Sequence, residues 1–315
     1  WWPARILAER PGVGGGAGPL DRRRGCGDTR APMREWPPIT EPELLRRLAA
    51  GDDEFLALMR GFVSSVGPRE FGDAEFERAL GYPWPRPPSS FVVDGAEVEH
   101  VDAWDEISTE GRFPLLSFGS NGAPDTLIRK FAHLPPGQQR IPVLAGGLRD
   151  LDVGAPGNPA AYGAFPATLF VSPGTALRAS VLFVTAEQLT ALTWTEVSYR
   201  LGRLDGVRFE PDAAGSPDVD HVLAYASRWG SHCVDGNVAA LAALPARDRT
   251  VPEFTQEQLL DHAAARAIGP GASARDLVAW IFADFAAAAA TLWPLIQPDA
   301  RPFDSARWTA YPAAA

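Results

Sequence analysis

The chain has 315 residues, 46% of them hydrophobic, so one long domain or two ordinary ones can bury a core without disulfide or metal staples. Its formal net charge of -10 and isoelectric point near 5.0 exclude a general phosphate-binding surface, and with it nucleic acid as an expected partner. Two cysteines, Cys26 and Cys233, lie far apart with no CxxC, which spells neither a zinc ribbon nor a disulfide framework and suits a reducing, cytoplasmic setting.

Residues 1 to 32 lack an initiating Met and the long apolar core of a secretory signal, so an unstructured or spurious leader is expected there, with Met33 opening more ordinary composition. Residues 33 to 90 are expected to form a helical extension and a Pro-rich linker. Thr40 stands as a cap, Pro42 falls in the first turn, and Leu44, Leu45, Leu48, then Phe55, Leu58, Met59 and Phe62 recur at helical spacing around a break at Gly51. "GYPWPRPPSS", residues 81 to 90, holds four prolines and cannot be regular structure.

Residues 91 to 210 carry short strand-like runs: "SFVVDG", which begins at the boundary, then "PLLSF", "IPVLAGGL", "ATLFV", "RASVLFV" and "VSYRLGRLDGVRF". Asp205-Gly206 in the last of these predicts a hairpin. One helix is expected between the strands, with Thr185 and Gln188 as a capping box and Leu189 and Leu192 as its buried face. Strands with few helices between them predict an α+β protein with a mixed or barrel-like β core. From 211 to 315 a helical cover is expected, with Thr255/Gln258 and Ser273/Asp276 as further capping pairs. The apolar run at residues 277 to 296 is read as a terminal helix and not a membrane span, because Asp284 near its middle would cost about 2.5 to 3.5 kcal/mol in a bilayer.

The chemistry is sought first in "PLLSFGSNGAPDTLIRKF", residues 114 to 131, where Gly119, Ser120 and Asn121 separate a strand from a helix. Such a turn exposes backbone NH groups beside the positive end of a helix dipole, a place for a carboxylate or a developing oxyanion as well as for an ordinary turn. Among 29 basic residues only Lys130 is a lysine, which reads as the bias of a GC-rich coding sequence. Near "GSHCVDGN", residues 230 to 237, His232, Cys233 and Asp235 are adjacent, but neighbours on an extended chain point to opposite faces, so a satisfied structural His beside a buried Cys is expected and no metal centre. No phosphate-binding GxxxxGK[ST] or GxGxxG motif appears.

Read onward through "IPVLAGGLRDLDV" and "PATLFVSPGTALRASVLFVTAEQLTALTWTEVSYRL", the order of features resembles the gamma-glutamylcyclotransferase-like family over residues 113 to 205. Members commonly show LDxxE where this chain has LTWTE. The resemblance implies a β-barrel core with helical N- and C-terminal additions. It also implies release of 5-oxoproline from a γ-glutamyl amine or related acylated amine, without a cofactor. Glu196 would be the acid and base, Phe118, Gly119, Ser120 and Asn121 the substrate loop, and Tyr199 a wall of the pocket. Apolar neighbours Trp194 and Val197 are expected to bury the Glu196 carboxyl partly and to favour proton shuttling. A small-molecule substrate, no nucleic acid and no membrane follow as expected partners, with the oligomeric state open.

Two other functions fit the same residues. A small-acid-binding or structural protein would keep the fold and not the reaction, with Glu196 in solvent. A serine hydrolase would use Ser120 at a strand-turn-helix with His221, His232 or His262, although F-G-S-N-G misplaces the first glycine of G-x-S-x-G.

Overall fold

The computed structural model describes residues 36–311, so the leader expected over residues 1 to 32, Cys26 and Met33 lie outside the described residues. The N-terminal helices form where the leucine spacing places them. α1 (Pro42–Ala49) and α2 (Asp52–Ser65) flank Gly51, and α3 (Asp73–Leu80) follows. Glu41 and not Thr40 occupies the N-cap of α1, because Pro42 already takes the first helical position and no side-chain cap forms.

The Pro-rich stretch ends at β1 (Ser90–Asp94), which forms a hairpin with β2 (Glu97–Val101). β3 (Phe113–Ser117) leads through a 3-10 turn, Ser120–Gly122, into α4 (Pro124–Phe131). Then come β4 (Ile141–Gly154) and β5 (Thr168–Val184), α5 (Ala186–Thr195), β6 (Tyr199–Asp205), β7 (Phe209–Pro211) and β8 (His221–Ser227). Short strands β9 (Cys233–Val234), β10 (Asn237–Val238), β11 (Ala240–Leu241), β12 (Ala246–Arg247) and β13 (Glu253–Phe254) precede α6 (Gln256–Ala267), α7 (Ala274–Ala283), α8 (Phe285–Ile296) and β14 (Trp308–Ala310).

The protein is α+β, with a large mixed sheet in the order β13-β11-β4-β5-β3-β8-β6-β14; β1, β7 and β12 pair with its long strands β4 and β5. Most pairs are antiparallel, while β3 with β8 and β11 with β13 are parallel. No closed barrel is found among the described residues. One edge of β4 is taken by β5 and the other is shared among β1, β7 and β11, so no long free edge remains there to receive β6 or β14.

Alternation along the long strands sends successive side chains into two cores. Leu116, Leu144, Val181 and Phe183 face a core shared with Leu259 of α6, Leu277 and Ile281 of α7 and Leu292 of α8. Leu115, Val143, Leu182 and Val184 face a second core with Leu44 of α1, Leu127 of α4 and Leu189 and Leu192 of α5. Helices on both faces explain why these strands are apolar throughout instead of alternating with polar residues.

All three expected capping boxes are present, at Thr185/Gln188, Thr255/Gln258 and Ser273/Asp276. Asp284 divides the Ala-rich apolar run into α7 and α8 and caps α8 through its Oδ1, which accepts from the Ala287 amide at 2.9 Å. Among the described residues no helix is long and apolar enough to cross a membrane.

Three expectations are corrected. Gly206 does take a positive φ of 63°, but no hairpin forms: β6 pairs with β8, and β7 crosses to β4. "ATLFV" and "RASVLFV" belong to one 17-residue strand, β5, whose partner β4 shifts register between Arg149 and Leu151. Residues 211 to 255 are not helical; they contain β8 and the short strands, and the C-terminal helices begin at Gln256. β8, "HVLAYAS", is buried at every position, so it lacks the alternation that marks a half-exposed strand.

The His232 environment differs as well. The ring is fully buried, stacks on Phe165 at 5.7 Å and lies 5.8 Å from His262, yet neither ring nitrogen has a hydrogen-bond partner among the described residues. Its backbone is used in pairing, with the amide donating to Ala155 O and the carbonyl accepting from Ala239, so the ring is delivered into packed aromatic surroundings. Burial first, then His262 and Arg266, pushes the ring pKa down to about 4, with Asp299 opposing. A depressed histidine stabilises the fold fully above its unfolded pKa of roughly 6.5 and loses that contribution as pH falls toward about 4. Urea unfolding is expected to show up to about 3 kcal/mol lost across this window, and His232→Leu to flatten the loss. An equal slope in the variant would assign the pH dependence to other groups.

Candidate active site

Residues brought together from β3, α4, α5 and β6 line a cavity of about 460 Å³, within the range of roughly 300 to 1,000 Å³ common for small-molecule sites. Phe118, Gly119, Ser120, Asn121, Glu196 and Tyr199 all line it. Glu196 is the residue that ends α5, and its amide still donates to Thr193 O at 3.2 Å before the chain turns into β6. An acid at a helix C-terminus sits at the unfavourable end of the dipole, which costs about 0.3 to 1 kcal/mol unless a cation offsets it.

The cation is Lys130. Its Nζ donates to Glu196 Oε1 at 2.9 Å and to Asn121 Oδ1 at 2.8 Å, while Asn121 Nδ2 donates to the same Glu196 Oε1 at 3.1 Å. The Lys130 and Glu196 side chains are only 11% and 14% exposed. Glu196 Oε2 makes no hydrogen bond among the described residues, so one oxygen is anchored and the other is available to a ligand. The expectation for Glu196 considered only its apolar chain neighbours; the fold adds an ammonium and a carboxamide from α4 and the turn. Compositional bias is not the whole account of the lone lysine. Thr126, Arg129 and Lys130, at i, i+3 and i+4 of α4, present one face to the cavity, a spacing visible in the sequence.

The turn differs in detail from the expected cradle. Gly119 has φ -110°, so no left-handed backbone requires glycine there. The need is close approach, and the approaching group is Tyr82: a Cβ on Gly119 would lie 2.6 Å from the Tyr82 hydroxyl and 3.0 Å from Ala167 Cβ. The Gly122 and Ala123 amides are used within the turn, donating to Gly119 O and Ser120 O at 3.0 Å each. The amides of Gly119 and Asn121 donate no hydrogen bond among the described residues, which leaves two donors for a ligand. The Phe118 ring is buried in the first core, and its carbonyl accepts from Arg86 at 3.1 Å.

Four tyrosines enclose Glu196. Tyr82, Tyr162, Tyr199 and Tyr225 line the cavity, and all have phenols pushed above their ordinary range, by burial first, with the Glu196 charge adding to it. They are therefore neutral donors at pH 7. Tyr199 donates to Ala167 O at 2.9 Å, and the Tyr225 and Thr193 hydroxyls lie 2.8 Å apart. Tyr82, Tyr162, Tyr225 and Lys130 were not singled out as site residues in the sequence; nor was Asn158, a buried cavity-lining residue whose Oδ1 has no partner among the described residues. Only Lys130 carried a signal, its singularity.

Among the described residues no histidine lines the cavity that holds Ser120, so the Ser-His pairing expected for a hydrolase is not formed there. Gly119→Ala is expected to destabilise by about 1 to 3 kcal/mol through overpacking against Tyr82, and Gly119→Ala/Tyr82→Phe to recover part of it in thermal or urea unfolding. Equal stability of Gly119→Ala and the parent would show that the Tyr82 ring yields freely. Comparison of the chain with protein-family models, with curated proteins and with solved structures gave no match.

Proposed function

We propose that this cavity closes a γ-glutamyl amine, or a similarly acylated amine, onto itself to release 5-oxoproline and the free amine. One observation carries the proposal: the Glu196 carboxyl and the Gly119–Asn121 turn, 75 residues apart in the chain, line the same hollow and touch through the 3.1 Å Asn121–Glu196 hydrogen bond. The order of motifs that resembles the gamma-glutamylcyclotransferase-like family supports it. The implied barrel is not required, because the turn, α4 and the α5–β6 junction alone assemble these groups.

In the reaction the α-nitrogen of the substrate attacks its own γ-carbonyl carbon. The new N–C bond closes a five-membered lactam, the bond from that carbon to the amine nitrogen breaks, and the proton lost by the α-nitrogen goes to the departing amine. Atoms balance with no co-reactant. Nucleophile and electrophile share one molecule, so holding them in a near-attack arrangement can supply an effective molarity of roughly 10⁵ to 10⁸ M.

Glu196 carries the proton between the two nitrogens through Oε2, while Lys130 and Asn121 hold Oε1. Lys130 has a second effect: a fixed ammonium disfavours a second ammonium beside it, which favours the neutral, nucleophilic form of the substrate amine. The Gly119 and Asn121 amides are the donors for the oxyanion that grows on the γ-oxygen. Asn158 offers a carboxamide to the polar end of the substrate.

The deciding experiment incubates the protein with γ-glutamyl amines and measures 5-oxoproline. Lactam formation above the uncatalysed rate sustains the proposal. Tight binding of the same compounds with no lactam would reduce the site to a receptor for small acids.

A further inference from the structure

Glu196 is followed by Val197, which packs against a small apolar cluster of Ala50, Phe55 and Met59; Phe62 and Trp293 pack against the same cluster and against the first core. Met59 and Phe62 belong to α2, Phe285 and Trp293 to α8, and all four line the cavity that holds Glu196. The rings of Phe62 and Phe285 meet edge-on at 6.4 Å, tying the two helices together at the cavity wall. Both helices lie outside residues 113 to 205, where the turn and the glutamate are found.

From this placement we infer that α2 and α8 form the subsite for the departing amine and select a large apolar amine, above all an aromatic one. The inference rests on the proposed lactam-forming reaction. The glutamyl part of the substrate is polar, and the groups that suit it are the turn amides at its γ-oxygen, with Asn158 and the cavity-lining Arg78 and Arg129 for its carboxylate. The amine is attached to the carbon that Glu196 serves, and the chain passes directly from Glu196 into the apolar cluster at Val197. Met59, Phe62, Val197 and Phe285 offer no polar side chain and Trp293 only its unpartnered indole NH, so a charged amine substituent would lose its hydration there without replacement, whereas an aryl group gains apolar burial.

The test compares γ-glutamyl-phenylethylamine with γ-glutamyl-ethylamine, reading 5-oxoproline release as kcat/KM. In parallel, binding of free phenylethylamine and free ethylamine is measured by calorimetry, for the parent, Phe62→Ala and Glu196→Gln. The aryl substrate is expected to be favoured by at least roughly 10- to 200-fold, the span that a hydrophobic pocket delivers for a single methylene. Phe62→Ala should shrink that preference, and Glu196→Gln should leave phenylethylamine binding in place while lowering turnover. Equal kcat/KM for the two substrates, or a preference unchanged in Phe62→Ala, overturns the subsite while the reaction stands. Failure to form 5-oxoproline from either substrate overturns the reaction. In that event, tighter binding of phenylethylamine than of ethylamine, weakened in Phe62→Ala, still sustains an aryl-amine subsite, and equal binding removes it.

Discussion

Glu196→Gln is expected to lower kcat for 5-oxoproline formation by roughly 10²- to 10⁴-fold with little change in KM, the effect of removing a positioned acid-base group that acts in the transition state. Glutamine preserves the size of the side chain and a contact to Asn121; lost are the ability to take up and give back a proton and the ion pair with Lys130, whose cost the unfolding control reads separately. Steady-state kinetics on a γ-glutamyl amine, with urea unfolding as a control for folding, reads this directly. Full turnover in the variant would remove the carboxyl from the mechanism and leave the geometry around it without its assigned role.

Lys130→Met is expected to destabilise the protein by about 3 kcal/mol, near the lower end of the loss when one partner of a buried ion pair is removed. Exposures of 11% and 14% place the pair away from the surface regime in which ion pairs contribute about 0 to 1 kcal/mol. Two interactions go at once: the ammonium beside Glu196 and the donor that orients the Asn121 carboxamide. The double variant Lys130→Met/Glu196→Gln should recover a large part of the stability, because neither member of the pair is left charged without the other, and the double-mutant cycle measures the coupling. A sum of single effects within about 0.5 kcal/mol of the double would show that the pair is not coupled. Lys130→Arg keeps the charge but presents a planar fork where a compact ammonium reaches two acceptors, so reduced turnover is expected even in a folded protein.

The relation between the two variants explains why Glu196 is tolerated at the end of α5. A carboxylate there opposes the helix dipole, and nothing in the packing of α5, whose buried face is Leu189 and Leu192, calls for an acid at that position. Lys130 on α4 supplies the offsetting charge from a helix 66 residues distant in the chain.

Local chemistry was legible wherever one residue's neighbours in the chain decide its conformation. The capping boxes at Thr185, Thr255 and Ser273, the break at Gly51 and the strand-turn-helix around Gly119 all follow from hydrogen bonds or steric restrictions within four residues. The hairpin at Asp205-Gly206 failed for an instructive reason. Its turn conformation is local and is present, but strand pairing is a competition among distant edges, and β8 and β4 took the partners that a hairpin would have used. β8 was missed because burial on both faces erases the alternation that reveals a strand.

The order of residues by itself determined the α+β composition, the glycine-containing turn and a glutamate at the end of a capped helix, because each depends on short-range sterics, capping and hydrophobic period. Tertiary structure alone decided that Lys130 faces Glu196, that Tyr82 occupies the space beside Gly119, that α2 and α8 wall the cavity, and which strand edges pair in the sheet. Those outcomes are meetings between segments tens to hundreds of residues apart, chosen by which apolar faces and free edges fit together, and no window along the chain contains both partners.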